Sequence, residues 1–109
     1  MNDLADLQKR ILEFRDAREW GQYHNAKDLA ACLSVEAAEL LELFLWKKPE
    51  EAPKDKIADE LSDVLYCVLL IAKECQIDIY QAALEKLAKN GEKYPVEKSK
   101  GSNKKYSEL

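Results

Sequence analysis

Leu29-Ala-Ala-Cys-Leu-Ser-Val-Glu-Ala-Ala-Glu-Leu-Leu-Glu-Leu43 and, a short connection later, Ile57-Ala-Asp-Glu-Leu-Ser-Asp-Val-Leu-Tyr-Cys-Val-Leu-Leu-Ile71 decide how this chain is read. At 100 degrees per residue the first segment places Leu29, Leu33, Leu40 and Leu43 on one stripe of a helix, with Glu36 in the middle of that stripe. A carboxylate on a core-facing line costs several kcal/mol to bury unless it is paired, protonated or bound to a metal, whereas the outer face holds it at no cost. Glu39 lies on the flank of the same stripe, about 5–6 Å from Glu36 at the β-carbon. The second segment repeats the pattern: Ile57, Leu61, Val64, Val68 and Ile71 form a stripe, and Glu60 and Asp63 share one edge of it. Antiparallel packing along these stripes brings the four acids to one depth. Oxygen-only ligands of this kind suit magnesium or manganese, and like charges held together repel without a cation. Glu-x-x-Glu is also common on solvated helices, so each motif taken singly has an ordinary reading.

Outward from these segments the chain stays helical. Three glycines and three prolines, against abundant Leu, Ala, Glu and Lys, leave few breaks and no competing strand pattern. A first helix is expected from about Asp3 to Glu19, with Leu4, Leu7, Ile11 and Phe14 on its apolar face. Trp20 to Asn25 reads as a loop, and Asp28 as the N-cap of the second helix, which continues to about Trp46. Pro49 and Pro53 bracket the next connection, and the third helix runs from about Asp55 to Cys75. Asp78 caps a fourth, with Ala82, Ala83 and Leu87 inward, ending near Gly91 and Tyr94-Pro95. Residues 96–109 are polar and without period, and read as a disordered tail beyond a domain of residues 1–95. The fold class is all-α, a four-helix bundle type. The run Val64 to Ala72 is apolar all round and needs cover from a central position or from a second copy.

Composition narrows the function. The chain has 109 residues, with 17 Lys and Arg against 21 Asp and Glu, for a formal charge of -4. That balance repels a nucleic-acid backbone, yet it accepts a phosphorylated small molecule when a divalent cation stands between. Val64 to Ala72 is far short of the roughly 20 residues that span a bilayer. Cys32, Cys67 and Cys75, in apolar stretches with no signal peptide before them, are expected as reduced core residues of a cytoplasmic protein. A domain this small gains from burying area against a partner, so an oligomer is expected. Phe14, Trp20, Tyr23 and His24 precede the acidic helix and Trp46 follows it; aromatic faces of this kind stack on nucleobases, and equally serve as core or interface. A di-iron bundle needs Glu-x-x-His pairs, which His24, the sole histidine, does not supply.

Several of these stretches carry a resemblance. Trp20-Gly-Gln-Tyr-His24, Ser34-Val-Glu-Ala-Ala-Glu-Leu-Leu-Glu42 with Phe44-Leu-Trp46, Asp59-Glu-Leu-Ser-Asp-Val-Leu65, and Lys86-Leu-Ala-Lys-Asn90 leading to Lys93-Tyr94-Pro95 resemble the MazG-like nucleotide pyrophosphohydrolases, in particular their dCTP pyrophosphatase branch. The resemblance implies that Glu36, Glu39, Glu60 and Asp63 bind Mg2+, with Mn2+ as a substitute, and that a nucleoside triphosphate is cleaved to monophosphate and pyrophosphate. It implies further that Lys86 and Asn90 contact substrate, that Lys93 helps hold phosphate, and that His24 and Trp46 shape the base pocket. Homo-oligomers, dimers or tetramers made of two dimers, are implied as well, and a role in nucleotide-pool housecleaning. The chain departs from the pattern at one place: the tyrosine expected four residues after the aspartate is Cys67, with Tyr66 displaced by one position. Of the carboxylates, Glu39 on the flank suits a general base, and Glu36 in the stripe suits a fixed ligand. Alternatives are a hydrolase of dUTP or phosphoribosyl-ATP in the same superfamily, or a helical oligomerisation module without activity.

Overall fold

The computed structural model describes residues 3–109, and among them every regular element is helical. Helix α1 spans Asp3–Ala17, α2 Ala26–Glu42, α3 Lys54–Glu74, α4 Ile79–Lys93 and α5 Val96–Ser99, with single 3-10 turns at Trp20–Tyr23, Pro49–Glu51 and Tyr106–Glu108. Among the described residues no helix is long and apolar enough to cross a membrane. The chain forms two compact units, one ending at Ile77 and the other spanning Asp78–Leu109.

In the first unit α3 is central, and both α1 and α2 pack on it. Its C-terminal half supplies most of the core: Cys67, Leu69, Leu70 and Ala72 are buried there, joined by Leu29 of α2 and Ala52. The Gln8 side-chain amide donates to the Leu69 carbonyl at 2.9 Å, fastening α1 to this half. The Arg15 guanidinium reaches Glu74 at 3.6 Å, and Gly21 leaves the room it needs, since a Cβ there would stand 3.3 Å from Arg15 Nε. At its end α3 closes with Gln76 in the left-handed region, φ 55, and Ile77 N–H donating back to the Ala72 carbonyl at 2.8 Å.

The structure differs from the sequence reading first in the caps, helix ends and cysteines. The N-cap of α2 is Asn25 instead of Asp28: the Asn25 side chain accepts from Asp28 N–H at 2.9 Å and donates to the Asp28 carboxylate at 2.8 Å, so Asp28 is the third residue of the first turn. Helix α2 stops at Glu42, with Trp46 beyond it at φ 61. The stretch from Trp20 to Tyr23 is a 3-10 turn. Of the cysteines, all free, only Cys67 is buried, whereas Cys32 and Cys75 are exposed.

The apolar face of α3 is rotated from its expected line. Leu61 is 52% exposed, while Glu60 beside it is half-buried and stands in line with Val64, Cys67 and Ile71. An acid at position 60 therefore occupies the core-facing stripe, as Glu36 does on α2.

In the second unit Asp78 caps α4 as expected, accepting from Gln81 N–H at 3.1 Å. The helix runs through Gly91 to Lys93 and has no buried side chain; Ala83 and Leu87, expected inward, are exposed. Residues 96–109 hold two short helical turns, α5 and Tyr106–Glu108.

Candidate functional site

The cap at Asn25 and the short connection before Lys54 start α2 and α3 so that their acidic positions face each other. One carboxylate oxygen each from Glu36, Glu60 and Asp63 lie within 4.8 Å of one another. Glu36 and Glu60 each hold one oxygen, Oε2, shut away from solvent with no hydrogen-bond partner in the protein. Asp63 is more exposed.

The electrostatics follow from that crowding. Burial, then hydrogen bonding with Glu39 and Glu60, then the charges of Glu39 and Asp63 raise the Glu36 carboxyl from 4.5 to about 7. Glu60 is also raised, chiefly by burial, with its hydrogen bond to Glu36 acting against the rise and the charges of Glu39 and Asp63 adding to it. Both shifts have one cause: two helices press carboxylates together and away from water. Carboxylate oxygens of three residues within reach of one point, two of those residues with an unpartnered buried oxygen, are the donor set of a hard divalent cation, so the residues fit one. Glu39, expected with them, is half-buried on α2 and adjoins the group, although its oxygens are not among the three that converge.

A cavity of about 380 Å³ opens from the acids along the α2–α3 seam, lined by Tyr23, His24, Asp28, Leu29, Cys32 and Tyr66 among others, with Glu36 and Asp63 at its acidic end. Its size falls in the range of small-molecule sites. His24 lines it, and His24 Nδ1 is shielded from solvent without a partner. Cys67 also faces the cavity, its thiol pushed up first by burial and then by Cys32, Glu36 and Asp63. Behind Tyr66 stands an aromatic group: Phe14 meets Tyr66 edge-on at 6.5 Å and Trp20 at 5.8 Å, with the Arg18 guanidinium 3.7 Å above the Phe14 ring.

Not every residue singled out from the sequence joins the cavity. Trp46 is fully exposed and is not part of its lining. Lys86, Asn90 and Lys93 lie in the second unit, one above another along one face of α4. Asp28, Cys32 and Tyr66 line the cavity without having been singled out as site residues, and Tyr23, named from the sequence among the aromatic residues, lines it with them. A spacing argument finds two of them: Cys32 stands one helical turn before Glu36, and Tyr66 one turn after Asp63.

Helices alone, with acids converging at the end of a cavity between two of them, define a helical protein with a carboxylate-lined pocket. Comparison with known proteins gives the family. The model of the MazG-like family matches residues 31–109. dCTP pyrophosphatase 1 of Bos taurus is 39% identical over 114 residues, a match that covers 97% of this chain and 68% of the bovine protein. The Homo sapiens protein of the same name is 36% identical, covering 97% of this chain and 67% of its own length. Among solved structures, a pyrophosphatase from Archaeoglobus fulgidus superposes with a TM-score of 0.80 at 35% identity, over 87% of this chain and 94% of that one. This chain belongs to the MazG-like family.

Proposed function

We propose that this chain hydrolyses dCTP, or a dCTP modified on its base, to the monophosphate and pyrophosphate with Mg2+ as its cation, Mn2+ serving as a substitute. The chain is a nucleoside triphosphate pyrophosphohydrolase by family and relatives; the cation, the base and the residue roles are this reading's own. The observation that carries it is the convergence of Glu36, Glu60 and Asp63 with two unpartnered carboxylate oxygens at the acidic end of the cavity.

Glu36, Glu60 and Asp63, with Glu39 beside them, would hold the cation. Bound there, Mg2+ supplies neutralisation of phosphate charge and acidification of water. The protein's own groups do the rest. Water attacks the α-phosphorus, the bond from that phosphorus to the oxygen bridging to the β-phosphate breaks, and pyrophosphate leaves with the bridging oxygen. Glu39, on the flank of the cluster, takes the proton of the attacking water as general base. A Glu39→Gln variant that kept near-normal turnover at saturating Mg2+ would remove Glu39 from that role. His24 and Tyr66 line the part of the cavity where the base lies, and Trp46 shapes the base pocket from a second copy, since its own copy leaves it in solvent. Lys86 and Asn90 contact the substrate and Lys93 holds phosphate, all three presented by one face of α4.

The working form is a homo-oligomer, a dimer or a dimer of dimers. Support comes from apolar side chains left in solvent by one copy: Leu41 is 60% exposed and Leu87 66%, and Leu45, Leu61 and Trp46 are exposed with them. The catalytic domain is residues 1–95, and its place is the cytoplasm, where its three free thiols stay reduced.

Incubation with Mg2+ and a panel of canonical and modified nucleoside triphosphates, with chromatography of the nucleotides and an assay of pyrophosphate, tests the reading. Equal amounts of monophosphate and pyrophosphate, with the cytosine nucleotides turned over fastest, is the expected result. Release of orthophosphate and diphosphate, or no product with either cation, would overturn it.

A further inference from the structure

The C-terminal segment reaches back onto the end of α4. After Tyr94 the chain makes one helical turn, with Lys98 and Ser99 N–H donating to the Pro95 carbonyl at 3.0 and 2.9 Å. It then reverses at Gly101, whose φ of 76 is one that L side chains rarely adopt. Ser102 secures the reversal twice: its N–H donates to the Ser99 carbonyl at 2.9 Å, and its hydroxyl accepts from Lys104 N–H at 3.2 Å. The 3-10 turn that follows sets the Tyr106 ring edge-on to Tyr94, centroids 6.1 Å apart at 88°, and places it 5.0 Å from the Lys93 ammonium. A segment with no hydrophobic period thus delivers one aromatic ring to one lysine.

What the ring does for that lysine follows from its chemistry. A free Lys side chain has four rotatable bonds, and fixing it costs much of its rotamer entropy. A carboxylate would fix the ammonium but cancel its charge. A tyrosine face attracts it through the ring quadrupole and leaves its charge and N–H donors for another anion. Among the described residues no carboxylate pairs with Lys93.

We propose that Tyr106 is a positioning residue, holding the Lys93 ammonium ready for the substrate's phosphates through a clasp that Gly101 and Ser102 form. The inference rests on the reading of Lys93 as a phosphate-holding residue. Steady-state kinetics of the full chain with dCTP and Mg2+ test it. Tyr106→Leu is expected to raise KM about two- to five-fold, the size of an exposed cation–π contact, with kcat and Tm unchanged. Tyr106→Phe, which keeps the ring, restores the wild-type KM. In a Lys93→Ala background Tyr106→Leu adds nothing. The Lys93 ε-methylene protons, shifted upfield by the ring in the NMR spectrum of the wild type, move to the random-coil position in Tyr106→Leu. If Lys93→Ala raises KM and Tyr106→Leu does not, the positioning role is overturned and the reading of Lys93 stands. If Lys93→Ala leaves KM unchanged, both fall.

Discussion

The two halves of α3 are built from the same helical pattern and serve opposite ends. From Cys67 to Ala72 the inward positions are apolar, Leu69 and Leu70 are sealed from solvent, and a hydrogen bond from Gln8 ties the neighbouring helix to them. From Lys54 to Asp63 the inward line carries Glu60 where a leucine would pack, and Leu61 is turned outward. One half stabilises the fold; the other spends some of that stability to hold carboxylates close together, with one oxygen each of Glu36 and Glu60 left unpartnered. Burial in the first half supplies what crowding in the second costs.

Breaking the apolar half has the largest effect. Leu70→Ala should destabilise the fold by about 2–5 kcal/mol, read as a lower midpoint in urea with the slope unchanged, while turnover per folded molecule is retained. In the acidic half the signs reverse. Glu60→Gln should cost more in kcat/KM than the ~10–100-fold typical of removing an outer-shell partner of a metal ligand, yet raise Tm in the absence of divalent cation because one like charge is gone. A Glu60→Gln protein that was both active and less stable would merge the two halves into one.

The same contrast gives a pH dependence. Glu36 is raised from 4.5 to about 7, so the fold binds that proton more tightly than the unfolded chain does. Without cation, stability is intact below about pH 4.5 and falls as pH rises through about 7. With saturating Mg2+ the trend should invert, because the cation needs the carboxylate deprotonated. Thermal melts across this range, with and without Mg2+, check both signs. The smallest expected effect is at the start of α2: Asn25→Ala should cost about 1 kcal/mol of stability and leave kcat within a factor of two, since the Asn25 side chain serves the start of the helix through its hydrogen bonds with Asp28.

The helices and the acids could be read from the sequence because both rest on period. Glu36 announced itself as a charge inside a leucine stripe, and Asp78 as a cap before an amphipathic run. Glu60 was legible only as an edge residue, because Leu61 beside it looked like the better core residue; which of two adjacent positions faces in depends on the rotation of α3 against α2 and α1, a tertiary matter. Asn25 and Asp28 are both good caps, and their hydrogen bonds decide between them. The cysteines mislead because an apolar neighbourhood in sequence is not burial in space: Cys32 lies on the cavity face of α2 and Cys75 at the end of α3. The clasp at Gly101 and Tyr106 has no periodic signal at all. It comes from one left-handed glycine and a few local hydrogen bonds, which composition reads as a polar tail.

The cation site is the centre of this account, and Mn2+ titration followed by electron paramagnetic resonance tests it most directly, since free Mn2+ gives a sharp signal that binding suppresses. Saturable, stoichiometric loss of the free signal with the wild type, competed by Mg2+ and abolished by Glu60→Gln, is the predicted result. Equal binding by wild type and Glu60→Gln, or no binding by either, would contradict it and leave the three carboxylates as a cluster between two helices with no cation to hold.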